Sequence, residues 1–163
     1  MALLLQRIIH HSLLVECIMN IEINMKKILL IALTLFISAS IFADDVRYLT
    51  TEQFKQLVFD YSNNKTWHYQ GDKPCIIDFY TTWCGPCKRL APIMQELAEE
   101  YCDKVVIYKV DTEQERELAA VFGISSIPTL LFCPMGENPQ VTRGLLPKET
   151  LERVIKEVLH VSK

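Results

Sequence analysis

The sequence has no surplus of positive charge: 17 lysines and arginines stand against 20 aspartates and glutamates, for a formal charge of -3 at pH 7. The basic residues are scattered among acids rather than grouped, so no field is available to attract nucleic acid. Internal repeats and low-complexity linkers are also missing, and nothing demands more than one domain. A second closely spaced cysteine pair is absent. Of the four histidines, His10 and His11 fall at the very front, and His68 and His160 stand alone as expected surface residues. Zinc sites need four ligands at defined spacings, so no metal is expected. The apolar run Ile28 to Phe42 has 15 residues, short of the ~20 that cross a bilayer.

That run has another use. From Met25 the chain reads MKKILLIALTLFISASIFADD: two lysines, an apolar stretch, small residues, then a polar start. This is the layout of a secretory signal peptide. Residues 25–43 are therefore expected to direct export, with cleavage after Ala43, or after Ser40 because Ile41 is atypical at the minus-three place. Export signals begin at the translated N-terminus, so residues 1–24 read as an upstream leader and Met25 as the expected start. No lipid-accepting cysteine follows the run. A periplasmic or otherwise exported protein is expected, in contact with the membrane only during export.

The remaining residues, 44–163, read as one domain, half-apolar enough to bury a core. Thr50 and Gln53 have capping-box spacing, and Phe54, Leu57, Val58 and Tyr61 recur at helical intervals. A helix is expected, ending near Asn63 and Asn64. CIIDFYT, Cys75 to Thr81, is a short β-rich run that reads as a buried strand. Leu90, Ile93, Met94, Leu97, Ala98 and Tyr101 mark a helix from Pro86, with Pro92 inside it predicting a kink. Lys104 to Val110 reads as a second strand, and strand–helix–strand implies a parallel pair with a right-handed crossover. A short helix over Glu113 to Phe122 follows. PTLLF from Pro128 and QVTRG then form an antiparallel hairpin, and Pro147 opens a last helix carrying Leu151, Val154, Ile155, Val158 and Leu159. The expected class is α/β: a central mixed β-sheet flanked by helices on both faces.

The chemistry lies in WCGPCK, residues 83–88. With one pair, metal binding is disfavoured. A disulfide closing a loop of two residues removes little unfolded-state entropy, so as a structural staple it is weak. Its position favours a reagent. A strand end that delivers Cys84 to the first turn of a helix sets the sulfur beside unpaired N–H groups and the positive dipole end, which favour thiolate. Cys84 is expected to attack substrate disulfides and Cys87, one turn on and more buried, to resolve the mixed disulfide. Gly85 lets a partner's backbone approach, and Pro86 suits the first helical turn. Trp83 offers a flat apolar contact, or else packs as an ordinary aromatic.

With those residues in place, the sequence resembles the thioredoxin family over nearly all of Val46 to Leu159. The resemblance implies the thioredoxin fold, no cofactor, and thiol-disulfide exchange with disulfide-containing or dithiol proteins. It implies that Ile127 and Pro128, in ISSIPTL, form a cis-proline loop that receives extended substrate, and that Gly144 keeps the substrate groove open. Asp78 resembles the family's buried acid and Lys109 its companion lysine. Burial would raise the Asp78 pKa and suit it to take a proton from Cys87; the plainer alternatives are a solvent-facing acid and a solvated lysine. Tyr80 departs from the tryptophan that many members carry, a change expected to alter fluorescence more than chemistry.

Between thioredoxin, at about -270 mV, and a strongly oxidising relative, at about -120 mV, lies a difference of about 7 kcal/mol. Gly85 and Pro86 carry no charge, whereas oxidising relatives often place a histidine there. A reductant or exchange catalyst is expected, fed outside the cytoplasm by an electron-donating membrane protein. The alternatives are a disulfide-forming oxidase and a non-catalytic binding or chaperone module using the same groove. Of the other cysteines, Cys75 and Cys133 would lie on strands that the family pairs, as buried free thiols or a cross-strand bridge. Cys102, at a helix end, would be an exposed thiol or a partly buried helix terminus.

Overall fold

The computed structural model describes residues 46–163; the expected leader and signal segment lie outside the described residues. The elements run β1 (Arg47–Tyr48), α1 (Thr51–Leu57), β2 (Cys75–Tyr80), α2 (Gly85–Glu100), β3 (Val106–Asp111), α3 (Arg116–Val121), β4 (Thr129–Cys133), β5 (Gln140–Arg143) and α4 (Lys148–Val158). They form one five-stranded sheet in the order β1-β3-β2-β4-β5. β3 lies parallel to both β1 and β2, while β4 runs antiparallel to β2 and β5 antiparallel to β4. The mixed sheet expected from the chain pattern is present.

Side chains alternate across a strand, so the sheet has two inner faces. Cys75, Ile77 and Phe79 of β2 join Val106, Tyr108 and Val110 of β3 beneath Phe54 of α1 and Leu118 of α3. Ile76, Ile107, Leu130 and Phe132 face the other way, under Leu90, Met94, Leu97 and Ala98 of α2 and Leu151 and Ile155 of α4. Each such aliphatic side chain removed from water contributes about 1.5–3 kcal/mol. Asp78 and Lys109 fall on this second face by the same alternation.

Several boundaries differ from expectation for local reasons. The capping box at Thr50 and Gln53 is formed, but α1 ends at Leu57 rather than near Asn63. The Val58 and Phe59 N–H groups both bond to the Phe54 carbonyl, and the Asp60 carboxylate then ties Ser62 and Asn63 into a turn. Leu57 is left exposed, while Tyr61 still reaches Phe54 and Phe122 through ring contacts. The loop that follows is less polar in role than in composition, because Trp67 packs against Phe59 and Tyr69. β3 starts at Val106 because Lys104 and Val105 bond back to the Tyr101 carbonyl at the end of α2. α3 starts at Arg116, since Asp111 accepts the Glu113 N–H in its side chain and the Glu115 N–H in its backbone. The two-residue β1 is too short for any alternating pattern to reveal. α2 continues through Pro92 to Glu100, although the missing proline N–H denies the Lys88 carbonyl its helical partner.

Candidate active site

Cys84 occupies the N-cap of α2, reached from the end of β2 at Tyr80 through the short link Thr81, Thr82 and Trp83. Its carbonyl accepts the Lys88 N–H at 3.1 Å, the first helical bond, and its Sγ accepts the Cys87 N–H at 3.1 Å. Sulfur thus does the work that a serine or aspartate oxygen does at an ordinary N-cap. Cys84 and Cys87 are joined in a disulfide with Cα atoms 5.3 Å apart. Cys84 is 4% exposed and Cys87 2%, so the difference in burial expected of the two sulfurs is small. Gly85 and Pro86 between them are exposed, and Trp83 presents 66% of its surface. A partner therefore meets an apolar rim before it meets the sulfurs.

Pro128 closes the site from the next strand. β4 runs antiparallel to β2 with Thr129 opposite Phe79, so the chain just before β4 arrives at the end of β2 from which Cys84 emerges. The Ile127–Pro128 peptide bond is cis. The Thr129 hydroxyl donates to the Ser126 carbonyl at 2.7 Å, which ties the loop across its own base. Gly144 follows β5, adopts φ +86°, and donates its N–H to the Pro128 carbonyl at 2.8 Å. Ile127, Pro128 and Gly144 are thereby gathered at one rim of the sheet.

Beneath the rim, Asp78 is fully buried, which disposes of the solvent-facing alternative. It is the register partner of Lys109, and the Lys109 Nζ lies 3.7 Å from Asp78 Oδ2. That is an ion-pair distance, too long for a good hydrogen bond, and neither carboxylate oxygen has a hydrogen-bond partner among the described residues. Burial pushes the Asp78 pKa up to about 6, with the Lys109 charge pulling against it. Lys109 is itself 8% exposed, not a solvated strand residue. Its ammonium also stands over the face of Tyr80, 4.2 Å from the ring centroid. The change from tryptophan to Tyr80 therefore bears on more than fluorescence: two residues after Asp78, Tyr80 shares the acid's face of the strand, as the period of two implies. Burial, then Tyr48, Asp111 and Asp78, push the Tyr80 phenol pKa up. The Thr81 hydroxyl, buried without a partner among the described residues, is a further polar group at this level.

Cys75 and Cys133 are opposite residues on β2 and β4, both buried and both free. Cys102 is free and exposed. Burial, reinforced by a contact with Cys75, pushes the Cys133 thiol well up.

Two cysteines that share a disulfide at a helix N-terminus, under a cis-proline loop and an exposed tryptophan, make the molecule a thiol-disulfide oxidoreductase. The thioredoxin family model matches residues 45–157, and the chain belongs to the thioredoxin family. It is 46% identical over 109 residues to a thioredoxin of Borreliella burgdorferi, covering 67% of this chain and 93% of that one. It is 39% identical over 100 residues to an M-type chloroplastic thioredoxin of Spinacia oleracea, covering 60% of this chain and 55% of that one. Among solved structures it is similar to chloroplastic thioredoxin z, with a TM-score of 0.60 and 27% identity over 72% of this chain and 96% of that one.

Proposed function

We propose that this protein reduces or exchanges protein disulfides outside the cytoplasm, with Cys84 as nucleophile and Cys87 as resolving thiol. The observation that carries the assignment of roles is the Cys84 sulfur at the N-cap of α2, accepting the Cys87 N–H. In the reduced form that position favours thiolate at Cys84 through the helix dipole and the N–H donor. The Cys84 thiolate attacks one sulfur of a substrate disulfide, forming a mixed disulfide and expelling the other sulfur as a thiolate. Cys87 then gives its proton to Asp78 and attacks the Cys84 sulfur, so the second substrate thiolate leaves and the Cys84–Cys87 bond closes. Two electrons have passed to the substrate. Asp78 suits the acceptor role because a carboxyl with its pKa raised to about 6 is ionised at neutral pH yet more basic than an ordinary aspartate. Trp83, Gly85, Pro86, Ile127, Pro128 and Gly144 form the contact surface, in which the extended substrate lies along the cis-proline loop.

Export is proposed from the charge and apolar layout of residues 25–43, with residues 44–163 as the mature domain. An exported reductant must be re-reduced, and an electron-donating membrane protein is the proposed source. The chemistry is tested by Cys87→Ser, which is expected to accumulate mixed disulfides through Cys84 when incubated with a disulfide-bonded protein. Partners retained without a covalent link would favour the non-catalytic binding module. The redox potential of the Cys84–Cys87 couple in a glutathione buffer assigns direction: a value near -270 mV supports the reductant, and one near -120 mV the oxidase. N-terminal sequencing of the protein recovered from its native compartment tests export and cleavage.

A further inference from the structure

Asp78 is a buried carboxylate that depends on one neighbouring charge. Leu130 of β4 is its opposite residue on one side and contributes none, and the α2 residues packed on this face of the sheet, Leu90, Met94 and Leu97, are apolar. On the other side Lys109 of β3 is the opposing charge that acts on it. Lysine is a poor fixed charge, because its ammonium rides on a flexible four-carbon stem. Two cavities give that stem room. One, of about 210 Å³, lies toward Ala91 and Gln95 of α2; the other, of about 130 Å³, contains Tyr48, Asp111 and Glu115.

The second cavity offers Lys109 two competing carboxylates. Glu115 is partly occupied by the Thr51 N–H and hydroxyl, and Asp111 by Glu113 and Gln114, but neither is neutralised by these neutral donors. On the Asp78 side the ammonium stands over the face of Tyr80, 4.2 Å from the ring centroid, and a ring face attracts a cation. The ring is itself braced by the edge of Tyr48, at 6.3 Å between centroids and 62° between planes. We propose that Tyr80 is a positioning residue of the exchange reaction, its ring face holding the Lys109 ammonium beside Asp78. The aromatic face, and not the phenolic hydroxyl, is the required feature, so phenylalanine should serve and leucine should not.

With the ring removed, Lys109 is free to turn toward Asp111 and Glu115, and Asp78 loses the charge that favours its ionised form. Its proton affinity then rises. The test is a carboxyl ¹³C titration of Asp78 in the full chain, across Tyr80→Phe, Tyr80→Leu, Lys109→Met and the double variant Tyr80→Leu/Lys109→Met. Tyr80→Phe is expected to titrate as the unaltered protein does. Tyr80→Leu and Lys109→Met should each move the midpoint upward by about half to one pH unit, roughly three- to tenfold in proton affinity. The double variant should move it no further than Lys109→Met. An unmoved midpoint in Tyr80→Leu, an equal shift in Tyr80→Phe, or additive shifts in the double variant would overturn the proposal.

One measurement needs no substitution and decides the matter if the leucine variant does not fold. The Lys109 ε-methylene protons, over a ring face, should resonate upfield of ordinary lysine, and an ordinary shift would overturn the assignment. Only the kinetic arm rests on the proposed role of Asp78. There, kcat/KM of Tyr80→Leu for a disulfide-bonded protein should fall about two- to fivefold near pH 6, the loss shrinking as pH rises. A shifted titration with an unshifted rate profile would leave the ring as the holder of the Lys109 ammonium but overturn its part in the exchange reaction, and would remove Asp78 as proton acceptor.

Discussion

Asp78 and Lys109 sit opposite one another on adjacent parallel strands, their charged groups 3.7 Å apart on the face of the sheet that α2 covers. The pair does not compensate for the burial of the acid, whose pKa stands at about 6 with desolvation the dominant cause. A carboxyl with a pKa raised in the folded state binds protons more tightly folded than unfolded. Its contribution to stability is therefore complete below the unfolded value, near 3.8, and is lost as pH rises through about 6.

Asp78→Asn removes that titration while keeping the side chain's size. The stability difference between variant and unaltered protein should move in the variant's favour by roughly 3 kcal/mol between pH 3.5 and pH 8. Urea unfolding at the two pH values checks this. A difference that stays constant with pH would mean that Asp78 titrates like an exposed aspartate.

The N-cap position of Cys84 predicts a reactivity contrast within one molecule. In Cys87→Ser, the Cys84 thiol should be alkylated by iodoacetamide at neutral pH much faster than the exposed Cys102, by roughly tenfold or more. Peptide mapping after a timed quench separates the two sites. Equal rates would show that the helix start gives Cys84 no advantage.

Accessibility should sort the remaining thiols. In the native oxidised protein, Cys102 should react with a thiol reagent, while Cys75 and Cys133, buried opposite one another on β2 and β4, should be modified only after denaturation. Mass spectrometry of peptides labelled with and without denaturant reads the result directly. Prompt native labelling of Cys133 would place it outside the core.

Gly144 combines a left-handed backbone, φ +86°, with a hydrogen bond to the carbonyl of Pro128. A Cβ there would meet nothing within 4 Å, so the cost of Gly144→Ala is conformational rather than steric against neighbours. A destabilisation of about 1–2 kcal/mol is expected. Chemical denaturation measures it, and a KM that rises more than kcat falls would tie the same position to the substrate groove.

Much of this molecule was legible along the chain because its signals are local. The capping residues Thr50 and Gln53, the β-rich run from Cys75, and the helical recurrence of Leu90, Met94 and Leu97 each express geometry within a few residues. The pair at Cys84 and Cys87 is equally local, since a helix start supplies both the N–H donors and the spacing. Element ends were less legible. Competing turns, such as the one Asp60 builds after α1 and the one Asp111 builds before α3, are decided by small differences between alternative partners for the same N–H groups.

Pairings across the sheet were decided only by tertiary structure. Residue types alone suggested a buried acid and a companion lysine through resemblance, but strand register is what sets Lys109 opposite Asp78 and Cys133 opposite Cys75. Nor could the sequence reveal that the Lys109 ammonium divides its attention between a carboxylate and the face of Tyr80. The physical reason is range: hydrophobic period and capping act over one or two turns of chain, whereas an ion pair, a ring contact and a desolvation penalty depend on segments some 30 residues apart being folded against each other.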